Sequence, residues 1–105
     1  MEMEDFPHRL VAEYFAALSH PIRVKILELL RDGECCVCEI FPAIGAEQSN
    51  TSRHLAVLRR AGILKERREG VKVFYAVADK KVFGIIDAAK RISGQQILAR
   101  AEALR

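Results

Sequence analysis

Apolar residues recur along this chain at two spacings, and those spacings set its elements. Leu10, Val11, Tyr14, Phe15 and Leu18 stand three and four apart, which predicts a short helix ending near Ser19. In SHPIRVKILELLRDG, Ser19 or His20 can cap a second helix with Pro21 at its start. Its core face is Ile22, Ile26, Leu27 and Leu30, and Gly33 is the stop. Residues 36–44 supply one further short helix with Ile40, Phe41 and Ile44 turned inward. Pro42 is expected in its first turn or at its end, because proline cannot donate to the preceding turn.

After Gly45, Thr51, Leu55 and Leu58 form a stripe at positions i, i+4 and i+7. The opposite face of that helix carries Ser49, Ser52, Arg53, Ala56 and Arg60. Small hydrogen-bonding residues crowd its first turns, where a merely solvated face would carry Glu and Lys. Such a helix end can approach base edges closely. Gly62 stops it. LKERREGVKVFYAV then has the β-branched and aromatic pattern of a two-stranded hairpin turning at Glu69-Gly70, with Arg67, Arg68 and Lys72 near the tip. Val82, Ile85, Ile86 and Ala89, then Ile97, Ala101 and Leu104, give a last helix in which Ser93-Gly94 is a candidate kink.

Charge sharpens this picture because it is uneven. The formal net charge is +3, from 17 basic and 14 acidic residues. Residues 1–45 hold four basic and eight acidic groups, net −4, whereas residues 46–81 hold nine and four, net +5. A basic middle segment is what a phosphate-facing surface requires, and a solvated helix face can have the same composition. With 105 residues, half of them apolar, the chain suits one domain over residues 1–105. The acidic start, MEMEDFPHRL, is unlike a secretory signal, and no apolar run approaches the roughly 18 residues of a membrane span. A cytoplasmic protein with no membrane partner is expected.

All three cysteines, Cys35, Cys36 and Cys38, lie within GECCVCEI. In a reducing compartment an odd, clustered set points to metal or redox chemistry rather than a disulfide framework. Buried cysteines can also be plain small hydrophobes, but Glu34 and Glu39 alongside make a purely apolar setting a poor fit. A closed zinc site wants four ligands, commonly a C-x₂-C pair with a distant second pair, and no second pair is present here. Three thiolates suit a soft three-coordinate ion such as As(III) or Sb(III), with other soft metal ions possible. On a regular helix Cys36 points about 100° from Cys35 and about 200° from Cys38, so all three converge only where the helix is unwound. A helix N-terminus there would also favour the thiolate form.

The order helix, helix, short helix, polar-faced helix, basic hairpin, helix is that of a mainly α winged helix-turn-helix domain with a β-hairpin wing. The chain resembles the ArsR/SmtB family of metal-responsive repressors: ALSHPIRVKILELL is similar to its second helix, ECCVCEI to its thiol box, QSNTSRHLAVLRRAGIL to its recognition helix and RREGVKVFYAV to its wing. The resemblance implies a homodimer joined through the first and last helices, bound to an imperfect palindrome of double-stranded operator DNA and released by an inducer. Apolar stripes on the terminal helices make pairing plausible on physical grounds as well. On that reading Gln48, Ser49, Ser52 and Arg53 meet bases and phosphates, and Arg67, Arg68 and Lys72 meet phosphates or solvent. Ordinary cap or surface residues are the lesser reading of Ser49 and Ser52, and His54 falls toward the apolar side, where packing is favoured over DNA contact.

Two departures from the family pattern matter. Its arsenic-sensing members carry C-V-C and, after two further residues, a third cysteine. Cys36 and Cys38 match, but Phe41 stands third, leaving Cys35 as the substitute. Members that recruit cysteines from an N-terminal arm find none here, although His8 is available, and residues 79–105 lack the histidines of the zinc and nickel sensors. The expectation is therefore a non-enzymatic repressor with no permanently bound cofactor, induced by arsenite or antimonite. A thiol-redox or sulfide-responsive repressor of the same fold is the alternative, and a small thiol oxidoreductase or metal carrier is the reading from outside this class.

Overall fold

The computed structural model describes residues 5–104, so the acidic start at residues 1–4 lies outside the described residues. Helix α1 spans Asp5–Leu18 and α2 spans Pro21–Leu29, and the two-residue strand β1, Cys35–Cys36, leads into α3, Val37–Ile44. Helix α4, Gln48–Arg60, is followed by β2, Leu64–Glu69, β3, Lys72–Val77, and α5, Lys81–Ala103.

His20, not Ser19, caps α2: its Nδ1 accepts the Ile22 N–H at 3.1 Å, with Pro21 just inside the helix. Helix α3 departs from expectation at Pro42, which lies well inside it and not in the first turn. Only the bond to the Cys38 carbonyl is forfeited there, and two residues later the helix ends anyway, at Gly45 with φ 74°. Ile40 is fully buried, while Phe41 and Ile44 are half-buried.

The core is where α2, α3 and α4 meet the sheet and the first turns of α5. Ile26, Leu27, Leu30, Ile40, Leu55, Leu58 and Val82 are all within 1% of complete burial. Thr51, Leu55 and Leu58 supply the inward stripe of α4, so Ser49, Ser52 and Arg53 are left exposed, as the periodicity requires.

The hairpin turns at Gly70-Val71, one residue later than the sequence suggested, because Glu69 pairs with Lys72. Gly70 takes φ 60°, the backbone shape a two-residue hairpin loop demands of its first residue. The sheet has three strands, not two, in the order β1-β3-β2, all antiparallel. Cys35 stands opposite Tyr75 and Cys36 opposite Phe74, which stitches the cysteine segment to the inner strand of the wing.

Helix α5 runs unbroken through Ser93-Gly94. An interior glycine costs a helix only about 1 kcal/mol, which weakens it without dictating a break. Its later turns leave the core, and Ile92, Ile97, Leu98 and Leu104 are all more than half exposed. The radius of gyration is accordingly 16.3 Å, against about 13 Å for a compact chain of roughly 100 residues.

Candidate functional site

The thiol segment gains its geometry from a strand-to-helix junction. Cys36 is the N-cap of α3: its Sγ accepts the Cys38 N–H at 3.2 Å, and its own N–H donates to Glu39 Oε1 at 3.2 Å. This is a capping box with sulfur in the hydroxyl's place. The Cys36 and Cys38 sulfurs are joined as a disulfide. Cys36 is 4% exposed, whereas Cys38 is open to solvent.

Cys35 faces elsewhere. Successive residues of a strand point to opposite sides, and the Cys35 thiol is directed at the Leu29 and Gly33 carbonyls, 3.9 and 3.8 Å away at the end of α2. Burial pushes its pKa up, and the Glu39 and Glu34 carboxylates add to the rise, so this thiol is held protonated rather than activated. The structure thus brings Cys36 and Cys38 together and leaves Cys35 apart. Among the described residues no three His, Cys, Asp or Glu side chains are gathered as metal ligands.

A groove of about 510 Å³ opens beside the disulfide. Cys36, Cys38 and Phe41 line one side, Gln48 and Ser52 from the start of α4 another, and Arg68, Lys72 and Tyr75 from the wing the third. Six of the ten residues singled out in the sequence therefore share one depression. Ser49 and Arg53 lie on the exposed face of α4 outside it. Arg67 is used differently: its guanidinium grips Glu34 with two nitrogens, one of them Nε at 3.1 Å, reaches Glu69 at 2.8 Å and lies 4.5 Å over the Phe74 ring. Those carboxylates hold Arg67 firmly charged, and the contact ties the residue before β1 to the wing. Arg68 and Lys72 are exposed, with Arg68 only 3.8 Å from Glu66 and Lys72 in no ion pair among the described residues.

Three participants were missed in the sequence. Glu34 holds Arg67; Glu66 accepts the Tyr75 hydroxyl at 2.9 Å and lies 3.8 Å from Arg59 as well; and Tyr75 walls the groove. Their roles depend on strand register, and only the Cys36/Glu39 spacing, three residues apart as in a capping box, was legible as a local signal.

His54, on α4, is 8% exposed and packs as its helical position implied. Its Nδ1 accepts the Arg23 Nε–H at 3.1 Å and its ring lies 4.2 Å from His20. Arg23 also donates to the Ala16 and Ala17 carbonyls, so the end of α1, the start of α2 and α4 share one cluster. Burial first, then the charges of His20, Arg23 and Arg53, lowers the His54 pKa.

A second surface is apolar. Leu10, Val11 and Phe15 of α1 and Ile85 and Ile92 of α5 are exposed, and a cleft of about 520 Å³ is lined by Phe15, Leu18, Val24, Ile85 and Ile86. No helix among the described residues is long and apolar enough to cross a membrane.

Helices α3 and α4, set over a core with a β2–β3 wing alongside, make this a winged helix-turn-helix protein. Its sequence matches the model of the family described as bacterial regulatory protein, arsR family, over residues 20–66. It is 36% identical over 104 residues to the HTH-type transcriptional regulator Rv0081 of Mycobacterium tuberculosis, spanning 97% of this chain and 91% of that one. The crystal structure of Rv0081 superposes with a TM-score of 0.79 over 90% of this chain and 95% of that chain. The arsenic resistance transcriptional regulator ArsR1 of Pseudomonas putida is 38% identical, over 84% of this chain and 75% of its own. The homodimeric winged helix-turn-helix DNA-binding domain of Mb0332 from Mycobacterium bovis gives a TM-score of 0.80 at 27% identity, covering 92% of this chain and 90% of that one. This chain belongs to the ArsR family of transcriptional regulators.

Proposed function

We propose that the protein is a homodimeric, operator-binding repressor whose hold on DNA is governed by chemistry at the Cys36/Cys38 pair. The observation that carries this is the shared groove: the two sulfurs, the start of α4 and the wing cations line one depression. Any group captured by the sulfurs stands beside the residues offered to DNA. The second link is hydrogen-bonded and ionic, since β1 pairs with β3 and Glu34 grips Arg67, so a change at the thiols reaches the wing. Pairing of two copies through α1 and α5 would cover the exposed apolar face and set two α4 helices about 34 Å apart, the spacing of successive major grooves.

Arsenite or antimonite is the proposed inducer. Each thiol gives up its proton as an arsenic–sulfur bond forms, and arsenite's hydroxyls leave as water. With the pair reduced, Cys36 and Cys38 supply two thiolates; a third from Cys35 must first leave the Leu29 and Gly33 carbonyls. That movement pulls on β1, which supports release coupled to capture. A second reading, oxidative release, is favoured by the Cys36–Cys38 disulfide itself. A thiol oxidoreductase or metal carrier fits less well, because the relatives are transcriptional regulators.

The test measures affinity for an operator selected from random duplexes, with reduced protein, oxidised protein and reduced protein plus arsenite. Cys36→Ser and Cys38→Ser should bind operator like the parent but lose arsenite release. Arsenite must also bind the DNA-free form more tightly, by the factor with which it weakens DNA binding. Equal arsenite affinities with and without operator would end the release mechanism. A Cys35→Ser variant that responds like the parent would confine the site to the pair.

A further inference from the structure

The groove beside the disulfide has a chemical polarity that arsenite does not use. One wall offers the exposed Cys38; another offers Arg68 and Lys72. Glu66 also lines it, but its carboxylate is engaged by the Tyr75 hydroxyl and flanked by Arg59 and Arg68, whereas Lys72 has no ion pair among the described residues. Its volume of about 510 Å³ falls in the range of roughly 300–1,000 Å³ that small organic ligands occupy. Gln48 and Ser52 add hydrogen-bonding groups, and Phe41 and Tyr75 an apolar wall.

We propose that the groove is a modification site for a low-molecular-weight thiol bearing carboxylates, joined to Cys38 as a mixed disulfide with its acidic groups against Lys72 and Arg68. The proposal rests on the reading of Cys36/Cys38 as the sensor. The step is thiol–disulfide exchange. The incoming thiol loses its proton to solvent and its sulfur attacks Cys38 Sγ. The new sulfur–sulfur bond forms as the Cys36–Cys38 bond breaks, and the electron pair leaves on Cys36 Sγ. No other oxidant is needed, because the disulfide is consumed as the mixed disulfide is made.

Direction of attack follows from two observations. Both cysteines line the groove, but Cys38 is exposed and Cys36 only 4% exposed, so Cys38 is the more open to attack from solvent. Cys36 Sγ already accepts the Cys38 N–H at the cap of α3, where a departing thiolate is stabilised. The bound adduct covers Gln48 and Ser52, the groove's contribution from the DNA-facing helix, and so opposes operator binding.

Two experiments test this on the full-length protein. In the first, oxidised protein is mixed with glutathione, which carries two carboxylates, or with cationic cysteamine, each rate being divided by the same thiol's rate with 2-hydroxyethyl disulfide. Electrostatic steering by a local patch should favour glutathione by about tenfold, with the adduct mapped to Cys38 by peptide mass spectrometry. Lys72→Ala should remove most of that preference, and Lys25→Ala, the same charge lost outside the groove, should retain it. In the second, Cys36→Ser, which cannot expel the adduct, is treated with glutathione disulfide. The Cys38 adduct should bind the selected operator at least tenfold more weakly than the same variant unmodified. An adduct on Cys36 or Cys35, equal corrected rates for the two thiols, equal effects of the two lysine variants, or an adduct that binds operator normally would each overturn the proposal. Failure here with arsenite or oxidation still releasing the parent leaves the sensor reading standing; operator binding indifferent to every thiol state defeats the sensor reading itself.

Discussion

Thr51 lies in the first turn of α4, completely buried, and its hydroxyl has no hydrogen-bond partner. Its backbone N–H is already used, donating to the Glu47 carbonyl at 3.0 Å. Thr51→Val replaces the hydroxyl by a methyl group of nearly the same shape and similar helix propensity, so it opens no cavity. Leaving a buried hydroxyl unsatisfied costs about 1–3 kcal/mol, and relief of that cost should stabilise the protein by about 1 kcal/mol after allowance for the tight fit of the new methyl. In a domain of this size that raises Tm by about 4–8 °C. Thermal and urea unfolding, read at one protomer concentration because a dimer's stability depends on it, are the assays, and the urea m-value should stay constant. Operator affinity should not change, since Thr51 points into the core while Ser52 and Arg53 point out. A Thr51→Val protein less stable than the parent by more than about 0.5 kcal/mol would refute the reasoning, by showing that the hydroxyl's hydrogen bonding outweighs its burial.

Three further outcomes are expected. Arg53→Ala should lose discrimination between the selected operator and a scrambled duplex, while Lys72→Ala should weaken both alike and flatten the salt dependence, as titrations at several salt concentrations will show; equal losses for Arg53→Ala would reduce that residue to a phosphate contact. The lowered His54 pKa means the unfolded chain takes up this proton first, so its contribution is complete above about pH 6.5 and declines as pH falls below it. Urea unfolding of the parent and of His54→Gln across that range checks this, and a parallel pH slope in the variant would assign the effect to another group. Sedimentation should find a dimer at micromolar concentration, weakened by Ile97→Glu, whose side chain is 64% exposed in the protomer; a monomeric parent that still binds a palindrome tightly would remove the dimer.

Much of this protein was legible in its sequence because the helices obey local rules. The stripe of Thr51, Leu55 and Leu58 set which face of α4 is buried, and that alone put Ser49, Ser52 and Arg53 outside and turned His54 inward. The hairpin was legible from its β-branched run, and its turn was missed by one residue because register is fixed by cross-strand pairing, not by the turn residues alone. Pro42 and Ser93-Gly94 show the limit of propensity: the sequence places Pro42 in the first turn or at the end of its helix and makes Ser93-Gly94 a candidate kink, and in both places the helix continues at a modest local cost.

Tertiary structure alone decided what the cysteines can do together. Three thiols within four positions look like one site, but pairing of β1 with β3 makes Cys35 and Cys36 strand neighbours with opposed side chains, while the cap of α3 folds Cys36 onto Cys38. The same pairing gave Glu34 to Arg67, so a residue that sequence offered to phosphate or solvent also serves as a clasp between the thiol segment and the wing. The β1–β3 pairing and the Glu34–Arg67 contact join residues 33 or more positions apart. Periodicity specifies which face of an element is buried, and contacts at that separation exist only once the elements have been packed against one another.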